Sequence, residues 1–407
     1  MAKRVRRNTM PPMERFWLCM MFLFAISIFN KGGYVLMAMI VAAGLLYFHS
    51  LRVDFTMLCL ILFSLSYSII STMYFGFEFT DFCNYLIGSW GAYLVGKCYT
   101  RRFFGGQPLF RLMLVLGLGF FAHGTLNLFM QLFVVYNPNA TFRMTFDIWH
   151  NRYIAVTGAG MLYTLMTGIA FGILFSETKL IYKILSVGII AVSLVYSFVL
   201  AHRTTIVMVL LIVTLYVAKR LAKGFKPTKK NVLIILLGFF LLIFLIVCLW
   251  LDLFGLRSWL VGTSLYGRMR GARVNSLGGR SLIWKSFLKQ FWRYPTGGAQ
   301  IPLYLHESYV HNMWLDVYYK CGVVPFLALT IATAAILLRM GRLLRSRSGQ
   351  ISPLTRNCLL FVTAAFLLNA FVEPVLDANP YFLFGYLMIA GGTAGIPVNS
   401  NVEGTAG

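Results

Sequence analysis

Twelve apolar runs, most of them close to 20 residues long, dominate this 407-residue sequence. A helix needs about 20 apolar residues to cross roughly 30 Å of hydrocarbon, and lipid forces such a segment to be helical because it cannot hydrogen-bond to the backbone. The sequence therefore predicts an all-α integral membrane protein with about twelve transmembrane helices, forming one polytopic domain over residues 1–407. The runs lie near residues 16–30, 33–49, 55–75, 81–99, 109–135, 153–175, 180–200, 204–218, 231–252, 312–338, 357–372 and 378–395.

The charge composition agrees with this interpretation. Only 12% of the residues are charged and 59% are hydrophobic, whereas soluble domains carry about 25% charged residues. A net charge of +24 would ordinarily suggest nucleic-acid binding. Here it comes from scarce acidic residues and from short basic clusters between apolar runs, which are typical of cytoplasmic membrane loops. We therefore expect membrane lipids, and no nucleic acid, as the surroundings of this chain.

The distribution of positive charge predicts the orientation. If the N-terminus is cytoplasmic, the inner segments hold 22 Lys and Arg residues and the outer segments hold 12, so both termini are predicted to lie in the cytoplasm. Eight of the outer twelve belong to one large extracytoplasmic loop, residues 253–311. A loop this long is partly exempt from the positive-inside rule, so one explanation is that membrane insertion tolerates these positive charges. The other is an anionic partner on that side, either a lipid diphosphate or lipid headgroups.

Within this loop, Ser281–Arg293 shows helical periodicity. Ser281 is a suitable cap, Pro295 is a stop signal, and Lys285, Lys289 and Arg293 recur every fourth residue beside an apolar stripe of Ile283, Trp284, Phe287, Leu288 and Phe291. This pattern predicts an amphipathic helix in the membrane interface. Arg280 is then expected at its start, where free backbone N–H groups favour an anion. On its own such a helix is more often a surface anchor than a catalytic element.

The loop ends in the segment His306-Glu-Ser-Tyr-Val-His311, which differs from the zinc-protease pattern H-E-x-x-H. Its histidines are five residues apart, and on a helix they would point about 140° away from each other. No further ligand cluster stands nearby. We therefore expect no metal and no other cofactor.

His311 is the best candidate for a general base, although a histidine at the start of a span is often only an interfacial polar residue. Asn312 follows it, Asp316 lies one turn beyond Asn312, and Glu307 lies one turn before His311. A neutral imidazole suits the activation of a sugar hydroxyl. Further supporting candidates in the same loop are His306 and Arg273.

Arginines supply the complementary half of the predicted site, since guanidinium groups make bidentate contacts with phosphate oxygens. Arg280 lies in the loop, and Arg203 lies at the outer edge of a span. A charge at such an edge is costly and points to function, although a snorkelling interfacial anchor is the alternative. Glu373 and Asp377, and the segment 149–152, lie in other outer turns without a specific predicted role.

These residues resemble the O-antigen ligase and Wzy-type polysaccharide polymerase superfamily of bacterial envelopes. The ligase signature H-[NSQ]-x9-G-x-x-[GTY] is similar to His311-Asn312 followed by Gly322, and Pro325 departs from its last position. Arg203-Thr204 is similar to a short arginine motif at the start of a late span. The large-loop motifs of that superfamily are matched by Gly278, Gly279, Arg280 and Trp284, and then by Trp292, Pro295, Gly297 and Gly298.

The resemblance implies a GT-C-like fold of twelve spans in the bacterial cytoplasmic membrane. It also implies metal-independent, inverting glycosyl transfer at the periplasmic or external face, from an undecaprenyl-diphosphate-linked glycan donor to a glycan or lipid-linked acceptor. In this chain, Arg203 and Arg280 would hold the diphosphate, and His311 would be the base. The resemblance does not separate polymerase from ligase, and a chain-length regulator stays open as a further partner.

Two other classes of function remain open at this point: a lipid or polysaccharide transporter or flippase, and a scaffold whose arginines only bind headgroups. A transporter is expected to have charged or broken spans near the bilayer midplane, and midspan charges are nearly absent from this sequence. Convergence of Arg203, Arg280 and His311 in space would favour the enzyme.

Overall fold

The computed structural model describes residues 10–47, 52–103, 106–135, 144–222, 275–304, 307–346 and 350–397. The described part is almost entirely helical. Its helices are α1 (Pro12–Ile26), α2 (Gly32–Tyr47), α3 (Phe55–Phe75), α4 (Phe79–Phe103), α5 (Gly106–Phe129), α6 (Val156–Leu174), α7 (Leu180–Val199), α8 (Arg203–Ala222), α9 (Asn275–Lys289), α10 (Met313–Cys321), α11 (Val323–Arg345), α12 (Pro353–Val372), the short turn α13 (Val375–Ala378) and α14 (Pro380–Gly395).

Six of the described helices are long and apolar enough to cross a bilayer, namely Phe55–Phe75, Gln107–Val134, Val156–Leu174, Leu180–Val199, Val323–Arg345 and Pro353–Val372. Helix α2 is also apolar but shorter. These helices fit a membrane-embedded helical protein. The predicted span at 231–252 and the beginning of the 253–311 loop lie outside the described residues.

Close helix packing depends on small residues, as is usual in membrane helices. In α4, a Cβ on Gly96 would lie 1.8 Å from the carbonyl oxygen of Met388, and in α14 a Cβ on Gly391 would lie 1.8 Å from that of Tyr93. The two backbones therefore touch. Helix α6 lies at the centre of the bundle, where 89% of its most apolar 18-residue stretch is buried.

One β-hairpin departs from the predicted all-α fold. Strands β1 (Met144–Asp147) and β2 (Arg152–Ala155) pair antiparallel and rest on α5. There the Asn127 side chain accepts from the Ile148 N–H at 3.0 Å. Gln131, in the π-helical turn Met130–Val134 that continues α5, accepts from the Phe146 N–H at 3.1 Å. Polar residues four apart on one face of a helix thus satisfy backbone groups of the hairpin.

The single span predicted over 312–338 is broken in two. Gly322 has a φ of +80° and a ψ of −167°, which is a backbone region used almost only by glycine. It separates α10 from α11. This break leaves His311 and α10 at one end of the bundle, together with the C-terminal end of α12. We call this end the Glu373 end, after the residue that follows α12.

Candidate functional site

His311 lies in a tight turn just before α10. The Asp316 carboxylate accepts from the N–H of Val310 at 2.6 Å and from the N–H of Asn312 at 3.1 Å, so both neighbours of His311 are held by one side chain. Asn312 caps α10 by accepting from the Leu315 N–H at 3.1 Å. His311 has a φ of +59°. This left-handed conformation is uncommon outside glycine and persists where the surroundings impose it.

The carboxyl that holds this turn is almost completely buried. Burial raises the pKa of Asp316 to about 7, and the negative charge of Asp377 adds to the rise. The two backbone N–H donors from Val310 and Asn312 act in the opposite direction because they stabilise the charged form. The turn around His311 therefore rests on a group that titrates near neutral pH.

The His311 imidazole itself is partly accessible, with 19% of the side chain exposed. Its Nε2 atom lies 3.9 Å from a carboxylate oxygen of Glu307, which is too far for a direct hydrogen bond. The sequence-predicted neighbours Asn312, Asp316 and Glu307 thus all surround His311, but only Asn312 and Asp316 shape its backbone.

Two other elements meet the His311 turn. The indole N–H of Trp284, in α9, donates to the Val310 carbonyl at 2.8 Å. The Asn312 side chain donates to the Phe371 carbonyl at 3.2 Å, at the end of α12. The rings of Trp284 and Phe371 also contact each other edge to face, with centroids 5.3 Å apart. Helices α9, α10 and α12 are therefore joined at this point.

Glu373, two residues beyond Phe371, contacts both segments in which the sequence predicted a functional arginine. Its buried carboxylate accepts from the Thr204 hydroxyl at 2.6 Å, and Thr204 follows Arg203 in the first turn of α8. The Nη2 atom of Arg280 lies 3.5 Å from each oxygen of the same carboxylate. These contacts are long, and the Arg280 side chain is 36% exposed. Thr204, Asn312 and Arg280 thus all contact residues 371–373, and Arg203 and His311 are the sequence neighbours of the first two.

The structure corrects two expectations for α9. Arg280 does not start the helix, because α9 includes Asn275–Lys289 and already spans Gly278 and Gly279. An anion near Arg280 could therefore contact its guanidinium group, but not the free backbone N–H groups of a helix start. Ser281 likewise lies inside the helix and is not its cap.

Most of the apolar stripe of α9 packs against protein. Ile283 and Phe287 are buried in a local core, with Trp284 and Phe291 packed against it. The carbonyl of Phe291 accepts from the Tyr318 hydroxyl of α10. Leu288 alone among the five stripe residues stays exposed, and Lys285 and Lys289 are exposed as predicted. The helix therefore contacts the His311 turn through Trp284 and packs on α10 through its apolar stripe.

The glycines of the resembling motifs have a structural role. A Cβ on Gly297 would lie 2.5 Å from the Gly322 nitrogen, and a Cβ on Gly322 would lie 2.3 Å from the Pro295 carbonyl oxygen. The Val323 N–H donates to Pro295 at 2.8 Å and the Gly298 N–H donates to Lys320 at 2.8 Å. The two motif segments therefore dock backbone to backbone and fix the C-terminal end of α10.

An ion pair that the sequence did not predict closes the same region. Lys320 of α10 donates to Asp377 of α13. Burial alone would lower the pKa of Lys320, but the charge of Asp377 and its hydrogen bond outweigh burial and raise it. Glu373 and Asp377 therefore have definite partners, although their sequence neighbourhood suggested none. Of the remaining predicted residues, Arg273 and His306 lie outside the described part of the chain.

The outer segment 149–152 forms the hairpin turn, where a second polar cluster lies. The buried Asp147 carboxylate lies 3.4 Å from Nε2 of His123 and 3.3 Å from Nδ1 of His150, and it accepts from the N–H groups of Trp149 and His150. Burial tends to raise the pKa of Asp147, but the two imidazoles outweigh it and hold the pKa well below its usual range. This cluster fixes the hairpin.

The sequence matches no model of a known protein family and no curated protein. The residues of this chain and their contacts therefore carry the functional proposal.

Proposed function

We propose that this chain is a metal-independent, inverting glycosyltransferase that moves a glycan from an undecaprenyl-diphosphate-linked donor to a sugar hydroxyl, as a polysaccharide polymerase or an O-antigen ligase. One observation carries the proposal. Three segments far apart in sequence meet at residues 371–373, and each brings a group that this reaction needs: Arg203 beside Thr204, Arg280, and His311 beside Asn312.

In the proposed reaction, an acceptor hydroxyl oxygen attacks the anomeric carbon of the donor glycan. The bond from that carbon to the phosphate oxygen breaks, and its electron pair leaves with the lipid diphosphate. The hydroxyl proton passes to the His311 imidazole. Because attack and departure occur on opposite faces of the sugar, the configuration at the anomeric carbon is inverted.

The leaving diphosphate gains negative charge as the bond breaks, and in this proposal Arg203 and Arg280 stabilise it. Cationic groups oriented in advance toward developing charge typically contribute about 3–4 kcal/mol each to transition-state stabilisation. Glu373 is a positioning residue in this proposal. Its long contacts to the partly exposed Arg280 guanidinium orient that group and leave donor atoms for phosphate oxygens.

The proposal includes the predicted setting in the membrane. Twelve spans of GT-C-like arrangement lie in the bacterial cytoplasmic membrane, both termini are cytoplasmic, and the 253–311 loop and the Glu373 end face the periplasm or exterior. The positive-inside bias of the sequence supports this orientation. The energy source of the reaction also supports it, because nucleotide sugars are absent outside the cell and the lipid diphosphate leaving group must drive the transfer there.

The test is a transfer assay with full-length protein purified in detergent and a defined undecaprenyl-diphosphate oligosaccharide. Products are separated by size, with and without a second, lipid-linked acceptor; lengthening identifies a polymerase, and transfer to the second acceptor identifies a ligase. We expect Arg280→Ala and His311→Ala each to abolish transfer. Lys289→Ala is the matched control because it removes an exposed cation from the same helix α9.

Normal product from His311→Ala would remove the base assignment, and normal product from Arg280→Ala would remove the diphosphate assignment. A protein that gives no product in either arm, but moves the intact lipid-linked oligosaccharide across a vesicle membrane, would contradict the enzyme and establish a transporter.

A further inference from the structure

At the opposite end of the bundle lies a cavity of about 770 Å³. It is formed where α3 begins and where α4, α11 and α14 end. Among the described residues, five cationic side chains and one carboxylate line it: Arg52, Lys97, Arg101, Arg339, Arg342 and Asp54. From the first residue of α11 to Arg342 there are 19 residues, or about 29 Å at 1.5 Å per residue. The cavity is thus separate from the Glu373 end.

The floor of this cationic cavity is rigid. One Asp54 oxygen caps α3 by accepting from the Met57 N–H at 2.9 Å. The other accepts from Lys97 at 2.5 Å and from the Tyr93 hydroxyl at 3.1 Å. Lys97 also donates to the Arg52 carbonyl at 2.6 Å. Both oxygens of the Asp54 carboxylate therefore accept hydrogen bonds from the protein.

Arg339 stabilises the wall of the cavity without losing its charge. Its Nη2 atom donates to the carbonyls of Ala394 at 3.3 Å and Ile396 at 2.5 Å, at the end of α14. Carbonyl groups accept hydrogen bonds but neutralise no charge. Among the described residues of the lining, cationic side chains therefore outnumber carboxylates. Such a concave cluster calls for a multiply hydrogen-bonding anion, and phosphate oxygens fit guanidinium groups best.

The cavity is also bordered by exposed apolar side chains. Phe55 and Leu338 line it and are each more than 60% exposed. Below them, α3 and α11 pack against each other and present further exposed leucines and isoleucines along the bundle, among them Leu58, Leu62, Leu327 and Ile331. Acyl chains attached to a phosphate in the cavity would therefore have an apolar surface directly beside it.

We propose that this cavity binds the phosphate headgroup of an anionic phospholipid, with its acyl chains lying along α3 and α11. In the predicted orientation the cavity is cytoplasmic, where anionic lipid headgroups attract clustered Lys and Arg residues. The proposal is independent of the proposed transfer reaction. It concerns a fixed lipid site and not the general attraction of basic loops to the membrane, because the cations surround a concavity with a hydrogen-bonded floor.

Native mass spectrometry of the full-length protein tests this with phosphatidylglycerol and with zwitterionic phosphatidylcholine as probes. We expect retained phosphatidylglycerol in the wild type and little phosphatidylcholine. The Arg52→Gln/Arg342→Gln variant should weaken phosphatidylglycerol binding on the order of 30-fold, the equivalent of about 2 kcal/mol for two cations. Lys179→Gln/Lys183→Gln is the matched control, since these lysines lie at the start of α7 and outside the cavity lining.

A second variant, Ala335→Phe, fills part of the cavity while keeping every charge, and it should also lose the lipid. If both cavity variants retain as much phosphatidylglycerol as the wild type, the proposal is overturned. So would equal weakening by the control variant, because the site would then be only a diffuse basic surface. A third contradiction would come from inorganic pyrophosphate raising the melting temperature as much as phosphatidylglycerol does, since acyl chains would then contribute nothing.

Discussion

Gly322→Ala tests the backbone docking that fixes α10 and with it the His311 turn. At φ +80° and ψ −167°, a residue other than glycine costs about 1–3 kcal/mol. The new Cβ would also lie 2.3 Å from the Pro295 carbonyl oxygen, about 1 Å closer than an ordinary contact. Such overpacking typically costs a further 1–3 kcal/mol. We therefore expect a total loss of about 2–6 kcal/mol in the free energy of unfolding.

Thermal unfolding of the purified protein in detergent measures this loss. Gly341→Ala is the matched control, because Gly341 lies in α11, has open space around its Cβ position and has no positive φ. It should be neutral, or stabilising by up to about 1 kcal/mol through helix propensity. If Gly322→Ala unfolds at the same temperature as Gly341→Ala, the docking between residues 295–298 and 320–323 is wrong.

Three further predictions follow from the polar contacts. Trp284→Phe keeps the ring against Phe371 but loses the hydrogen bond to Val310, so it should cost about 1 kcal/mol of stability and lower the transfer rate. Asp147→Ala leaves buried donors of the hairpin without their acceptor, at about 1–3 kcal/mol each, measurable as a lower melting temperature than that of the exposed variant Lys285→Ala. Because the pKa of Asp316 is raised, its contribution to stability is largest below about pH 4 and is lost as the pH rises through about 7. The slope of melting temperature against pH between 4 and 8 should therefore be shallower in Asp316→Asn; an unchanged slope would contradict the assignment.

The helices were predictable because each hydrophobic run must satisfy its own backbone in lipid. For α3 the predicted and observed bounds coincide at residues 55–75. The break at Gly322 was missed because the sequence stays hydrophobic on both sides of it. The break comes from the backbone conformation of Gly322, which the hydrophobic pattern does not report. The hairpin was missed because its strands are short and are held by side chains of the preceding helical segment, Asn127 and Gln131, and not by a pattern within the strands.

Local spacing predicted the contacts of the site that lie within one turn, such as Asn312 with Asp316. It could not predict that Glu373 meets Arg280, because 93 residues separate them. The same limit explains the stripe of α9. Its periodicity is correct, but periodicity does not distinguish lipid from the side chains of α10 as the apolar partner.

The most direct measurement of the central claim is a cryo-electron microscopy structure of the protein with the proposed undecaprenyl-diphosphate-linked donor bound. We predict phosphate oxygens within hydrogen-bonding distance of both Arg203 and Arg280, and the His311 imidazole on the opposite side of the anomeric carbon. A donor whose diphosphate lies away from residues 371–373, or contacts neither arginine, would contradict the account.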